Sequence, residues 1–344
     1  MSAVNQTCRI GLVGLGRMGL RHVEALKMLG LAPAAVCDLD PGKSSPFEGT
    51  ALSYTSWQDL LNRETLDLLI VATLADTHAS ITCAAARGGV PRILCEKPMA
   101  TGLLEAWDMV KACRDAGARL AVNHGRRYHP GYVHLKEAVG NGIIGPLRQI
   151  NVRMGGGRLG GNGCHFLDLA RFLTGAEAES AVGWVSPQGH PNPRGAQYND
   201  PGGFGVVMFT NGCRLVIDLS EDLGVPGIVE MVGSYGTVCI DEATNQWSVA
   251  ARSEQDKGQP LFRYDTAVRQ VSFDPGRAFD VIQETGSAIA ELLGAQPVSS
   301  SGDEAFKALE LYAALRLSSI RGHLPVALPL TLDATNTAFR WAIA

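Results

Sequence analysis

A chain of 344 residues is long for one hydrophobic core and fits two domains. With 46% hydrophobic and 19% charged residues it has the balance of a globular enzyme, not of a disordered or fibrous protein. A formal net charge of −4 gives no basic excess for nucleic acid or anionic lipid, and no apolar stretch has bilayer length, so neither partner is expected.

The eight cysteines form no C-x-x-C pair, and several lie in apolar runs. That pattern predicts reduced core thiols in a reducing compartment and argues against a zinc ribbon or a redox pair. No basic segment leads into an apolar core at the N-terminus, so no signal peptide is expected and the cytoplasm is the default location.

In chain order, residues 8–13 read as a short buried strand. A helix follows, with Leu20, Val23, Leu26 and Leu29 expected along its buried face and Gly30 as its stop. Residues 34–37 are a second apolar run, ending at Asp38. A third, 66–73, precedes a helix over 77–87. Another strand, 92–95, leads into Glu96-Lys97-Pro98, followed by a helix over 103–116 and a strand over 119–122. Such alternation implies parallel βαβ units covered on both faces. After residue 123 the pattern changes: a helix over 130–140, then strands over 147–154, 181–185, 204–209, 214–219, 228–232 and 237–240. Asn211-Gly212 and Tyr235-Gly236 stand where hairpin turns belong. Two late helices, 278–293 and 303–320, are expected to cover one face of this second sheet. The prediction is α/β plus α+β: an N-terminal Rossmann fold, residues 1–124, and a C-terminal, largely antiparallel open sheet covered by helices on one face. Residues 125–344 would form that substrate-binding and oligomerisation domain, with the C-terminal segment free to return to the first.

Three segments carry chemistry. Gly14-Leu15-Gly16-Arg17-Met18-Gly19 is G-x-G-x-x-G, placed after a strand and at the opening of a helix. The glycines permit a tight turn and let a pyrophosphate approach backbone N–H groups at a helix N-terminus, so Gly14, Gly16, Arg17, Met18 and Gly19 are candidate cofactor residues. Asp38 closes the next strand, where a carboxylate can bind a ribose hydroxyl and would repel a 2′-phosphate. It favours NAD, while nearby Lys43 keeps NADP open. In the second segment, Cys95-Glu96-Lys97-Pro98, a lysine at the carboxyl end of a sheet strand can hold a substrate hydroxyl and stabilise negative charge on its oxygen. Glu96 can restrain that lysine, and Pro98 can fix the turn, by a cis bond if one forms. The third, residues 155–168, is rich in glycine. It reads either as a flexible loop or as backbone passing close to a ligand, with His165 at the start of a helix. An imidazole there can take a hydroxyl proton, and Asp168, three residues on, can orient it.

These pieces, in this order, resemble the glucose–fructose oxidoreductase / inositol dehydrogenase / MocA family. The resemblance is carried by residues 11–19, Asp38, Thr73 with His78, 95–98, 122–130 and 161–173, with further likeness at 210–219 and 233–241. It implies hydride transfer between a nicotinamide and a carbon of a sugar, inositol, sugar acid or nucleotide-linked sugar, with Lys97 and His165 as the catalytic pair. Thr73, His78, Glu96 and Lys97 would lie along the nicotinamide half of the cofactor site. Arg126 and Arg127 would line the cleft or make charge contacts between domains. Lys97, Arg126, Asn162, His165 and Asp168 are the substrate-side candidates, and a homo-oligomer is expected because family members commonly are. One departure stands out: many family dehydrogenases carry an aspartate four residues before the histidine, and here that position is Gly161, with Asn162 the nearest polar residue. The same fold also admits an NAD-retaining glycosidase that uses transient oxidation and elimination, or a non-catalytic nucleotide-binding sensor. Intact Lys97 and His165 argue against the sensor. The turn-rich stretch 190–203 is expected to contact substrate. His124, His129 and His134 recur at intervals that suit no metal geometry, so no metal is expected.

Overall fold

Short runs of Val, Ile, Leu and Ala form β1 (Ile10–Val13), β2 (Ala35–Cys37), β4 (Leu68–Val71), β5 (Arg92–Cys95) and β6 (Arg119–Val122), which with β3 (Leu52–Tyr54) make one sheet. In this computed structural model, which describes residues 8–186, 195, 197–260, 267–332 and 341, the six strands are parallel in the order β3-β2-β1-β4-β5-β6. That is the doubly wound order of a dinucleotide-binding sheet. Every residue of β1 and β4 is buried, because crossover helices cover both faces. The helices are α1 (Arg17–Met28), α2 (Trp57–Arg63), α3 (Ala75–Arg87) and α4 (Leu103–Asp115). Ser56 caps α2 by accepting the Asp59 N–H at 3.2 Å.

Two details differ from the sequence reading. The buried face of α1 is Gly19, His22, Ala25 and Leu26, whereas Leu20 is 47% exposed. The helix is turned by the close approach of Gly19 to the preceding loop, which carries Leu20 away from the sheet. The strand β3 was not expected: it is an edge strand of three residues, its Leu52 exposed, with no apolar alternation to reveal it.

The remaining strands form a nine-stranded sheet: β7 (Leu147–Arg153), β8 (Ala178–Val185), β9 (Gly203–Phe209), β10 (Arg214–Asp218), β11 (Ile228–Gly233), β12 (Gly236–Asp241), β13 (Gln246–Arg252), β14 (Val268–Val271) and β15 (Val326–Ala327). Their order is β14-β13-β12-β11-β7-β10-β9-β8-β15, and only β7 and β10 run parallel. Along β9 Gly203, Gly205, Val207 and Phe209 are buried while Phe204 and Met208 are exposed, the period of two that marks one covered and one open face. Helices α5 (Pro130–Gly140) and α6 (Gly163–Thr174) precede and follow β7.

Of the two late helices, α7 (Val281–Leu293) does not cover this second sheet. Its Ile289 and Leu292 join the core of the first, with Leu12, Leu26, Ile70 and Leu94. An amphipathic stripe states that a helix packs but not which sheet it packs on. The boundary between the two units falls inside α8 (Gly302–Ile320), at Leu309. Its first turn lies against Leu120 of β6, and its later turns bring Leu315 onto Gly183 and Gly205 of the second sheet. Ser318 there accepts the Gly183 N–H at 3.1 Å. The first unit thus holds the chain up to Tyr128, Asp280–Leu309 and Trp341. The second holds His129–Phe279 and Glu310 to residue 332. No described helix is long and apolar enough to cross a membrane.

Candidate functional site

In the first unit the chain leaves β1 through Gly14, whose φ of +94° is open only to glycine at low cost. Its N–H donates to the Cys37 carbonyl at 2.8 Å, and a Cβ there would lie 2.6 Å from the Ala72 backbone. A Cβ on Gly19 would overlap the Gly14 carbonyl oxygen, so loop and helix touch through two glycines. Gly16, by contrast, faces open space and caps α1 without a side-chain hydrogen bond. The first N–H groups of α1, from Arg17 and Met18 onward, therefore end on an uncapped, glycine-lined slot, which suits a pyrophosphate.

Asp38 borders that slot. One carboxylate oxygen accepts the Leu15 N–H at 2.8 Å; the other accepts the Asp40 N–H at 3.0 Å and the Lys43 ammonium at 3.1 Å. Burial raises its pKa, but the backbone donors and Lys43 outweigh burial and hold the carboxyl below its usual range. Lys43, the residue that left NADP open, is thus paired with the carboxylate that disfavours a 2′-phosphate.

At the carboxyl end of β5, Glu96 turns inward and is 4% exposed. One oxygen meets His22 Nε2 at 2.8 Å and accepts the Asn123 amide at 2.8 Å; the other accepts the Lys97 N–H at 3.2 Å. Asn123 also donates to the Thr285 hydroxyl at 3.0 Å. One carboxylate therefore joins α1, the turn after β5, the end of β6 and, through Asn123, α7. Burial disfavours the ionised form, yet His22, Asn123 and the Lys97 charge prevail and bring the Glu96 pKa down to about 2. The Lys97-Pro98 bond is cis, and Lys97 is half-buried.

His78, on α3, is 1% exposed, with Nδ1 3.0 Å from the Pro98 carbonyl and Nε2 3.2 Å from the Thr73 carbonyl. It ties the turn after β4 to the turn that holds Lys97. Burial lowers its pKa, so the ring is neutral at pH 7 and donates to one of the two carbonyls. The Thr73 hydroxyl accepts from Thr77 at 2.7 Å. Arg126 is half-buried in the 3-10 turn Gly125–Tyr128 that follows β6. Its neighbour Arg127 is buried and donates to the Ser299 carbonyl at 2.8 Å and to Glu304 at 3.1 Å, both in the same unit. Arg127 therefore braces the segment between α7 and α8.

The second unit holds the third segment. Asn162 precedes α6, with its N–H on the Arg158 carbonyl at 2.8 Å and its amide 3.4 Å from the Gly157 carbonyl. His165 lies in the first turn of α6 and is half-buried, while Asp168 is completely buried. Asp200, 5% exposed, reaches this loop from beyond β8 and accepts the N–H groups of Gly160 and Gly161 at 2.8 and 2.7 Å. Of the stretch 190–203, residues 190–194 and 196 lie outside the described residues.

The structure thus gathers Gly14, Gly16, Arg17, Met18, Gly19, Asp38, Thr73, His78, Glu96 and Lys97 along one edge of the first sheet, with Arg126 just past β6. Asn162, His165 and Asp168 stand together in the second unit. One residue of these clusters, His22, escaped sequence reading altogether; Asn123 and Asp200 lie inside the stretches 122–130 and 190–203 but were not distinguished within them. For His22 a signal existed, as a histidine three residues after Gly19 on the face that Gly19 turns to the sheet. Asp200 lies 39 positions from its partner Gly161, beyond the reach of any local pattern.

Residues 8–124 match the model of the oxidoreductase family's NAD-binding Rossmann fold, and residues 136–328 match that family's C-terminal alpha/beta domain. Myo-inositol 2-dehydrogenase of Thermotoga maritima is 26% identical over 328 residues, covering 89% of this chain and 95% of the relative. Inositol 2-dehydrogenase 2 of Saccharopolyspora erythraea is 28% identical over 276 residues, 75% of this chain and 79% of the relative. The fold is shared with an Agrobacterium radiobacter oxidoreductase crystallised with NAD+, L-tartaric acid and magnesium: TM-score 0.76, 20% identity, 93% of this chain and 98% of that one. The WlbA dehydrogenase of Bordetella pertussis, in complex with NADH and UDP-GlcNAcA, gives a TM-score of 0.73 at 22% identity, with 94% and 99% covered. The two family models, which between them match most of the chain, place it: it belongs to the glucose–fructose oxidoreductase / inositol dehydrogenase / MocA family and is an NAD-dependent oxidoreductase.

Proposed function

We propose that the chain oxidises a secondary alcohol, or reduces the matching ketone, on an inositol, sugar, sugar acid or nucleotide-linked sugar, with Lys97 and His165 as the catalytic pair. The observation that carries this reading is the position of Lys97. It follows β5 at the carboxyl end of the same parallel sheet whose first strand runs into Gly14, the edge where such sheets bind their ligands. NAD, when bound, supplies a two-electron acceptor for the carbinol hydrogen. Lys97 holds the substrate oxygen and stabilises the negative charge that grows on it; His165 takes the hydroxyl proton and returns it in the reverse direction. Arg126 and Asn162, both half-buried, are assigned to substrate contacts. Asp168, fully buried, is assigned to orienting His165. Thr73 and His78 shape the nicotinamide half of the site. The inositol dehydrogenases among the relatives support the cyclitol part of the range.

The reading extends to a cytoplasmic homo-oligomer. All eight cysteines are free thiols, as a reducing compartment favours. Trp184, Phe204 and Met208 leave an apolar strip on the open face of the second sheet, 37%, 44% and 36% exposed, which supports pairing between copies. Light scattering on the purified protein tests that pairing.

The activity is tested by following reduced nicotinamide with purified protein, NAD and a panel of inositols, sugars, sugar acids and nucleotide-linked sugars. Formation of NADH with one of these classes is expected. Lys97→Ala and His165→Ala are each expected to abolish it while calorimetry still records NAD binding; near-wild-type turnover in either variant would overturn the assignment of that residue.

A further inference from the structure

Asp200 is a buried carboxylate whose two oxygens are committed to two consecutive backbone donors. Oδ1 accepts the Gly160 N–H at 2.8 Å and Oδ2 the Gly161 N–H at 2.7 Å. The next residue, Pro201, accepts the Leu159 N–H at 3.0 Å through its carbonyl, so three successive N–H groups face one short stretch of chain. Bonds from backbone N–H groups to a carboxylate are among the stronger hydrogen bonds in proteins, and paired ones fix geometry as well as energy. From this clamp the backbone runs through further hydrogen bonds to His165. Asn162 N–H bonds to Arg158, and His165 N–H bonds to the Asn162 carbonyl at 3.2 Å.

Space at position 161 tells the same story. Gly161 is not in the left-handed region, so its backbone does not demand glycine. A Cβ there, however, would lie 2.9 Å from Asp200 Oδ2, in the space that the carboxylate fills. The glycine and the aspartate are therefore complementary: the absent side chain of one makes room for the charge of the other. Burial pushes the phenol of fully buried Tyr312 up, with the Arg316 charge opposing and the Asp200 charge adding to the rise, which places a neutral α8 side chain in the same surroundings.

We propose that Asp200 is the positioning residue for His165. Its carboxylate, brought from the segment between β8 and β9, fixes the lead-in to α6 and sets a negative charge four residues before the imidazole, where it favours the protonated ring formed during alcohol oxidation. The inference rests on the reading of His165 as the proton-transfer group.

The test uses the full-length protein with NAD and the alcohol found active in the panel. Asp200→Asn keeps the size and removes the charge. It is expected to bind NAD with wild-type affinity, to keep its circular dichroism, and to lose kcat by about tenfold or more with little change in KM. Gly161→Asp alone is expected to be slow, because two carboxylates would compete for one space. Combined with Asp200→Ala it is expected to recover most of the kcat that Asp200→Ala loses, since a carboxylate returns to the same place. A merely structural clamp predicts the reverse, with the double variant worse than either single one. Wild-type kcat in Asp200→Asn, or a folded double variant no faster than Asp200→Ala, overturns the proposal. The underlying reading fails separately: if His165→Ala turns over normally, His165 is not the proton carrier whatever Asp200 does.

Discussion

Glu96 holds its place through three donors that come from three parts of the chain, and its ionisation is bound up with the fold. Its carboxyl sits at about 2 in the folded protein against an ordinary 4.5, so its contribution is fully present above the unfolded value and is lost as pH falls from about 4.5 through about 2. Glu96→Gln is therefore expected to lower stability at neutral pH, on the order of 3 kcal/mol, and to flatten the acid limb of the stability curve in that window. Urea titrations from pH 7 to pH 3 measure both effects; parallel acid limbs for the two proteins would count against this account. Asp38 carries a different prediction. Asp38→Ala removes the carboxylate that repels a 2′-phosphate and releases Lys43 from its 3.1 Å pairing. The ratio of kcat/KM for NAD over NADP is expected to fall by about tenfold or more, because a freed lysine at the ribose end can meet the extra phosphate.

At the scale of elements, α1 depends on one contact. Gly19→Ala would drive a methyl group into the Gly14 carbonyl, which must either open the loop or push the helix from the sheet. Overpacking of this kind costs about 1–3 kcal/mol. NAD affinity is expected to fall more than stability does, since the displaced N–H groups are those that face the pyrophosphate; calorimetric titration beside thermal melts separates the two. The sequence disclosed this element readily, because G-x-G-x-x-G between a strand and a helix has a mechanical meaning. It was less open about what lay at the edges. Strands β3 and β14 are short and mostly exposed, and β13 fully buries only Val249 and Ala251, so no strong periodic signal marked them. The candidate catalytic segments were legible where charge or glycine marked them, as in 95–98 and 155–168. Partnerships between distant residues, such as His22 with Glu96 or Asp200 with Gly161, are made by topology and leave no trace in spacing.

For the whole molecule, ligand linkage provides the broadest check. Excess NAD, at about a hundred times its dissociation constant, is expected to stabilise the folded protein by about 2.7 kcal/mol, read as a rise in the melting temperature. NADP at the same concentration is expected to give less, because Asp38 stands at the ribose end; equal shifts would argue against that role.

The return of α7 to the first sheet sets the order of assembly during synthesis. When the ribosome has made β1 to β6, the apolar surface destined for Ile289 and Leu292 is still bare, and the helix that covers it lies beyond eight of the nine strands of the second sheet. At ribosomal speeds of about 5–20 residues per second that surface stays open for several seconds or more. Thr285, the far end of the Glu96 network, arrives with the same helix. The nucleotide-binding unit is therefore the first to begin and among the last to finish. A fragment cut after Tyr128 would carry every residue of the glycine loop and of the Glu96-Lys97 turn, and still lack the helix that seals them.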